Sequence, residues 1–234
     1  AHPLPPSHPR ASSRWRTWLV AGLLSLGAGA WAQSGSYDAF FTAIARDNPG
    51  PLPALQARGF DFNSPDPTLQ PPLVLALRRE SWRVANFLLN VPELDVDARN
   101  PADENALMLA AIKGQVDLVE RLLQRQAQVN KPGWTPLHYA ASHVGPASLP
   151  ITRLLLERHA YIDAASPNGT TPLMMAARYG QAAAVRLLLE EGADPLLQNQ
   201  QGLTAVDFAR RAERPDIVDA IAQAIRDRQP KGRW

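Results

Sequence analysis

Thr135-Pro136-Leu137-His138-Tyr139-Ala140 recurs as Thr171-Pro172-Leu173-Met174-Met175-Ala176, and again as Thr204-Ala205-Val206-Asp207-Phe208-Ala209. Weaker copies precede it: Asn105-Ala106-Leu107-Met108-Leu109-Ala110 and Pro71-Pro72-Leu73-Val74-Leu75-Ala76. The core positions Leu73, Leu107, Leu137, Leu173 and Val206 are separated by 34, 30, 36 and 33 residues. A fixed period in this range marks a solenoid, in which each unit buries its apolar face against its neighbours rather than in one central core. Solenoids offer extended binding surfaces and seldom house chemistry.

Two further markers follow each copy in the same order. The first is an apolar run: Phe87-Leu88-Leu89, Leu122-Leu123, Leu154-Leu155-Leu156, Leu187-Leu188-Leu189 and Ile221. The second closes the unit: Leu94-Asp95-Val96-Asp97, Ala127-Gln128-Val129-Asn130, Ala160-Tyr161-Ile162-Asp163 and Gly192-Ala193-Asp194-Pro195. Each unit therefore reads as helix, turn, helix, loop. Thr suits the helix N-cap because its oxygen can accept from an unpaired backbone N–H. Pro suits the first helical position because the N–H it lacks would be unpaired there. Ala110-Ala111, Ala140-Ala141 and Ala176-Ala177 are small enough for the first helices of adjacent units to approach closely. Gly114 and Gly180 stand where those helices end, a place that favours a left-handed residue.

These residues resemble the ankyrin repeat, whose pattern is G-x-T-P-L-H-x-A-A-x-x-G followed by V-x-L-L-L-x-x-G-A-D-x-N. Gly169 to Asp194 follows it almost throughout. The resemblance implies an all-α ankyrin-repeat solenoid of stacked helix-turn-helix units with hairpin-like loops. Five repeats are expected, at about 65–98, 99–130, 131–163, 164–197 and 198–229. Residues 33–64 are expected to hold a degenerate N-terminal cap, with its first helix from Tyr37 to Ala45 and Phe60-Asp61-Phe62-Asn63 as its closing marker. The prolines at 49, 51 and 53 depart from the pattern, so a full helix pair there stays open. Arg210, Arg211, Glu213, Arg214, Asp216 and Asp219 give the last repeat the wet outer face of a terminal cap. Residues 230–234 are expected to form a disordered tail.

Arg10, Arg14 and Arg16 precede a short apolar run from Trp18 to Ala30, and Ala30-Trp31-Ala32 follows it. A basic segment, an apolar run of this length and a small-residue site make a secretory signal peptide. The run is too short for a membrane anchor, which needs about 20 apolar residues. Cleavage is expected after Ala32. Of 24 basic and 22 acidic residues, the segment 1–32 carries three arginines and no acid, so the remainder holds 21 basic and 22 acidic residues, a net of −1. The basic character of the full chain is thus no nucleic-acid footprint. Cysteine is absent, which excludes disulfides, a thiolate nucleophile and cysteine-ligated metal. Stability must come from apolar packing between units.

No catalytic constellation, phosphate-binding glycine loop, His-Glu-x-x-His motif or glycine-flanked serine elbow is visible. Beyond residue 32 the histidines are His138, His143 and His159. The resemblance gives His138 a structural hydrogen-bonding role. His159 stands where Gly is usual. Asp95 with Asp97, and Asp103 with Glu104, are explained by loop solvation and capping rather than by a cation, which needs more oxygens at regular spacing. No cofactor or metal is expected, and the chain is read as a non-enzyme, an enzyme being the alternative of another class.

The binding residues are those that differ between copies. In the resembling family, loop tips and the exposed ends of first helices meet the partner. Matched residue by residue, these are Lys113, His143, Arg178 and Tyr179, with Arg78, Arg79 and Arg211 in the less regular outer repeats, Trp134 before the Thr, and Tyr139 at the groove edge. Arg, Trp and Tyr are the residues that most often dominate binding energy. Charged helix surfaces also keep a protein soluble, so the arginines read either way. The intervals of 30 and 36 localise a shortened loop at Lys131-Pro132-Gly133-Trp134 and an enlarged turn within His143-Val144-Gly145-Pro146-Ala147-Ser148-Leu149-Pro150. Neutral drift accounts for both; a shaped contact feature is the functional reading.

The expectation is a periplasmic, bacterial, monomeric scaffold or stabiliser that binds another protein bearing an acidic surface, with no nucleic acid and no membrane insertion after signal cleavage. An immunity or inhibitor protein that occludes a periplasm-acting toxin or enzyme is the runner-up. Secretion beyond the envelope is the alternative location.

Overall fold

In the computed structural model, residues 35–228 are described; the expected signal segment and the expected tail at 230–234 lie outside them. Helix α1 covers 35–45. It is followed by α2 (Leu52–Ala57), α3 (Pro72–Arg78), α4 (Trp82–Leu88), α5 (Ala106–Ile112) and α6 (Val116–Gln124). The chain continues through α7 (Pro136–Ser142), α8 (Ser148–Glu157), α9 (Pro172–Tyr179), α10 (Ala182–Glu190), α11 (Ala205–Arg211) and α12 (Pro215–Arg228). Among the described residues there is no strand. The architecture is the expected all-α solenoid. First helices α3, α5, α7, α9 and α11 stack in one row, and second helices α6, α8, α10 and α12 in another. The prolines at 49, 51 and 53 do not prevent a second helix in the N-terminal unit, because Pro51 and Pro53 sit at the cap and first turn of α2.

The repeated residues build the core. Leu73, Leu107, Leu137 and Leu173 are buried, as are the alanine pairs of α5, α7 and α9. A fully buried leucine contributes about 1.5–3 kcal/mol, and a stack repeats that term once per unit. The N-terminal unit is sealed by aromatic rings instead. Phe40 meets Phe60 and Phe62 edge-on at 5.0 and 5.3 Å.

Four of the first helices, α5, α7, α9 and α11, are capped by side chains, not all in the same way. Asn105 accepts from Met108 N at 3.0 Å, and Thr171 Oγ1 accepts from Met174 N at 3.3 Å. At Thr204 the bond runs back from the cap amide to Asp207 Oδ2, at 2.9 Å. At Thr135 it runs back to His138 Nδ1, at 3.2 Å.

Polar ties repeat between units as well. Asn63, Asp97, Asn130 and Asp163 accept from the backbone N–H of Asp95, Gln128, Tyr161 and Asp194 in the following unit. Along the second helices, arginines take carbonyls of the preceding unit. Arg125 donates to the carbonyls of Leu89, Val91, Pro92 and Leu94. Arg228 donates to those of Ala193 and Leu189, each at 2.7 Å. A guanidinium suits this task because its planar fork carries five donors.

Gly114 has a φ of 68°, the left-handed ending expected of it. Gly180 does not: its φ is −80° and its ψ 179°. The reason for glycine at 180 is space. A Cβ there would lie 2.0 Å from the carbonyl oxygen of Ala141 in the preceding unit.

Candidate protein-binding groove

The two irregular segments frame the middle of the concave face. In regular loops the carbonyl before the cap residue accepts from a backbone N–H four residues earlier: Asn100 to Glu104, Ser166 to Thr170 and Asn199 to Leu203. Three residues are missing before Thr135, and no such turn forms there. The Lys131 ammonium replaces it. Its side chain is fully buried and donates to the carbonyls of Pro132 and Trp134, at 3.1 and 3.0 Å, and to Asp103 Oδ2 of the preceding loop at 2.5 Å. The Asp103 carboxyl is held below its ordinary pKa by the bond from Lys131 and by Arg99.

Trp134 is accordingly no projecting tip. It is half-buried, with its ring edge-on to His138 at 5.2 Å between centroids. His138 is buried and spans two units. Its Nδ1 accepts from the Thr135 amide, so Nε2 carries the proton and donates to the Thr170 carbonyl at 2.9 Å. Burial pushes its pKa down to about 4.

The enlarged turn is tied on both sides. His143 Nδ1 donates to the Ile112 carbonyl of the preceding unit at 2.9 Å, and Gln181 Nε2 of the following unit donates to the Val144 carbonyl. Inside the unit, Ser148 Oγ donates to the Ala140 carbonyl at 2.9 Å. The His143 ring packs against Gly114 and Gly145, where an added Cβ would sit 2.6 and 2.5 Å from its Nε2. The imidazole therefore faces into the stack. Val144 beside it is 70% exposed.

The expected cations fall into two groups. Arg78 pairs with Glu104 at 2.5 Å, and Lys113 with Glu80 at 2.6 Å. Such surface pairs are worth about 0–1 kcal/mol each, so they matter here by cancelling charge more than by stabilising. Glu104 also accepts from Asn100 and from Tyr139 Oη at 3.0 Å. Burial alone would raise its pKa; the bonds from Asn100, Tyr139 and Arg78 outweigh it and the net shift is downward. Burial and the neighbouring Glu104 push the Tyr139 phenol up. Arg79 is exposed beside Asp66. Arg178 and Arg211 are exposed and, like Arg79, form no ion pair among the described residues; Arg211 lies near Asp207 as Arg79 lies near Asp66. Arg178 lies over the Tyr179 ring at 5.0 Å.

Two adjoining hollows meet at Trp134, Met175 and Tyr179. The first, about 390 Å³, is walled by Ile112, Tyr139, Ser142 and Val144. The second, about 300 Å³, runs on to Asn168, Gln201, Arg178 and Arg211. The structure thus brings Trp134, Tyr139, Arg178, Tyr179 and Arg211 to one surface. It places Arg78, Arg79 and Lys113 farther along the stack and turns His143 inward. Val144, Met175 and Lys131 were missed by sequence reasoning. The signal for Val144 and Lys131 was the change of interval itself, which puts both in the segments that depart from the repeat. Among the described residues no group of side chains has the makings of a metal site, and no helix is long and apolar enough to cross a membrane.

Stacked helix pairs with an aromatic concave face define a repeat protein of the binding class. The chain belongs to the ankyrin-repeat family: two overlapping segments, residues 73–166 and 147–229, match the family model described as ankyrin repeats (3 copies). Among curated proteins it is 35% identical over 150 residues to tyrosine-protein kinase Shark of Drosophila melanogaster, matching 62% of this chain and 16% of that one. It is 29% identical over 174 residues to transient receptor potential cation channel subfamily A member 1 of Homo sapiens, matching 70% of this chain and 15% of that one. The chain thus spans less than a fifth of either relative. Among solved structures it resembles a chain of the Bdellovibrio bacteriovorus complex of predatory endopeptidase Bd0816 with immunity protein Bd3460. The TM-score is 0.66 and the identity 27%, with 79% of this chain and 96% of that one covered. Ankyrin repeats mediate protein–protein interaction, and that neighbour comes from a complex of two proteins.

Proposed function

We propose that this chain is a non-enzymatic, exported protein of the periplasm that binds a partner protein through the concave face centred on Trp134 and Tyr179. The observation that carries the reading is the exposed apolar and aromatic strip on a frame whose repeat-to-repeat polar groups are cross-tied. Exposed apolar surface on an otherwise well-satisfied fold marks an interaction site. Pre-organisation lowers the ordering cost of binding. A structural rather than a catalytic role for His138 is supported by its two engaged ring nitrogens and by a pKa low enough to keep the ring neutral near neutrality.

Scaffold and inhibitor are the two forms of this function. The inhibitor form is favoured by one observation, the likeness to a chain of the endopeptidase–immunity complex across nearly all of that chain. Pull-down from an envelope extract tests the binding reading, with wild type against a Trp134→Ala/Arg178→Glu double variant; equal partner recovery by both overturns it. Adding wild type to the recovered partner then separates the two forms. An inhibitor abolishes the partner's activity near equal stoichiometry, whereas a scaffold leaves it intact or raised. Fractionation of a tagged copy tests the location, and recovery from the cytoplasm or the medium argues against the periplasm.

A further inference from the structure

The two hollows differ in chemistry, and the difference has a direction along the stack. The hollow toward the second and third repeats is walled by side chains that are almost all apolar: Ile112, Tyr139 and Val144, with the shared Trp134, Met175 and Tyr179. Val144 stays 70% exposed although its backbone is fixed on both sides, by the His143–Ile112 bond and by the Gln181 amide. An exposed aliphatic side chain on a pinned turn forms a rigid rim, and the three extra residues of that turn are what present it. The hollow toward the fourth and fifth repeats ends at Arg178 and Arg211.

Charge along the concave face sharpens the contrast. Arg78 and Lys113 are each neutralised by a carboxylate of the adjacent unit. Arg178 and Arg211 form no ion pair among the described residues, although Arg211 lies near Asp207 of its own helix, and Arg178 is held over the Tyr179 ring that joins the two hollows. Of the two hollows, one is lined by Arg178 and Arg211 and the other by no cation, so along the strip positive charge stands at one end.

From this we propose that the groove is built for a single segment of a partner protein that seats a large apolar or aromatic side chain between Val144, Tyr139 and Met175 and places an Asp or Glu against Arg178 and Arg211. This rests on the binding reading above and adds to it the chemistry and direction of the bound segment. The inserted turn then has a function, which is to wall the anchor pocket. Arg and the large aromatic residues are the usual hot spots of such pairs, and a carboxylate suits the planar guanidinium fork.

The test uses residues 33–234 and a phage-displayed random dodecapeptide library. Selected peptides are then measured against three proteins: wild type, Val144→Asp/Met175→Asp in the anchor pocket, and Arg178→Glu/Arg211→Glu at the charged end. Circular dichroism establishes that each variant is folded; all four positions are half-buried or exposed. The expected result is a shared apolar residue close to an Asp or Glu, with affinity reduced at least tenfold by either pair of changes. A Glu80→Gln variant, which frees Lys113, leaves affinity within about twofold. Peptides without an acid, or unaffected by the Arg178/Arg211 change yet lost with the Val144/Met175 change, overturn the proposed segment while the groove reading survives. Recovery of no peptide, or of peptides indifferent to both changes, overturns both.

Discussion

The ammonium of Lys131 lies 2.5 Å from Asp103 Oδ2, wholly buried on its own side and half in water on the other. This pair joins two loops across a unit boundary and supplies the donors that a missing three-residue turn would have given. Asp103 is 56% exposed, so it keeps much of its hydration. The cost of losing Lys131 therefore falls on the part-buried carbonyls of Pro132 and Trp134, each of which loses its bond to the ammonium. Unsatisfied buried acceptors cost about 1–3 kcal/mol. Lys131→Met is expected to destabilise by that amount in urea unfolding. Asp103→Asn should cost less, because Asn still accepts the bond and tolerates the positive φ of 62°. A Lys131→Met change below about 0.5 kcal/mol refutes the substitution of side chain for turn.

Gly180→Ala should be damaging for a reason unrelated to backbone freedom. Its φ is ordinary for any residue, but the new methyl would meet the Ala141 carbonyl at 2.0 Å. The obstacle is backbone in the preceding unit, so no side chain can rotate away. Overpacking of this kind costs about 1–3 kcal/mol. The loss should show in thermal unfolding, with α7 and α9 the helices that separate. An unaltered midpoint for Gly180→Ala would mean that the two helices are less closely seated.

The repeat was legible because its determinants are local and periodic. Leu137, the Thr135 cap and the alanine pairs act at fixed positions in every copy, and so declare themselves in one chain. The groove was only half legible. Trp134, Tyr179 and Arg178 stood out by residue type at variable positions. The neutralisation of Arg78 and Lys113 did not, because it depends on acids lying beside them in the adjacent unit. Lys113 and Glu80 are 33 residues apart, one period, so laying the copies side by side would have exposed that pair. His143 was read as a contact residue because it matches the exposed end of the first helix, after Ala140-Ala141. Its inward turn depends on the space left by Gly114 and Gly145, a tertiary fact that spacing does not carry.

Arg125 tests whether the second-helix arginines are structural. Its guanidinium serves four carbonyls at the end of the preceding unit, the shortest bond being 2.7 Å to Val91. Hydrogen bonds to charged groups contribute about 1.5–3 kcal/mol. Arg125→Met keeps most of the aliphatic stem and removes the donors. It is expected to lower stability by about 2 kcal/mol and to speed amide exchange at the end of the first repeat, from Leu89 to Leu94, before any change appears in the fourth. Uniform exchange along the stack would show that the contact is incidental.

His138 gives the fold a defined response to acid. The neutral ring fits its site: Nδ1 accepts from Thr135, and Nε2–H donates to the Thr170 carbonyl. A second proton would put N–H against N–H at Nδ1, in a buried site. Burial accordingly lowers the pKa from 6.5 to about 4. Above pH 6.5 both folded and unfolded chains hold the ring neutral, and its contribution is complete. Between 6.5 and 4 the unfolded chain binds more protons, so stability falls as the pH falls. Below 4 this group causes no further loss. The difference amounts to about 3 kcal/mol at its limit. The carboxylates of Asp103, Glu104 and Asp207, whose pKa values are lowered by folding, lose their contribution only at still lower pH. Burial raises the Asp163 pKa, which acts in the opposite sense, so within the window from 6.5 to 4.5 it is the difference between wild type and a His138 variant that isolates the histidine. Wild type should lose stability across it, while His138→Gln, less stable at neutral pH, should show a flatter profile. Imidazole NMR at pH 5.5 supplies a reading that does not depend on the variant folding: His138 should remain the neutral Nε2–H tautomer. A protonated ring at that pH, or parallel stability profiles, would remove His138 as the acid-sensitive joint between the third and fourth repeats.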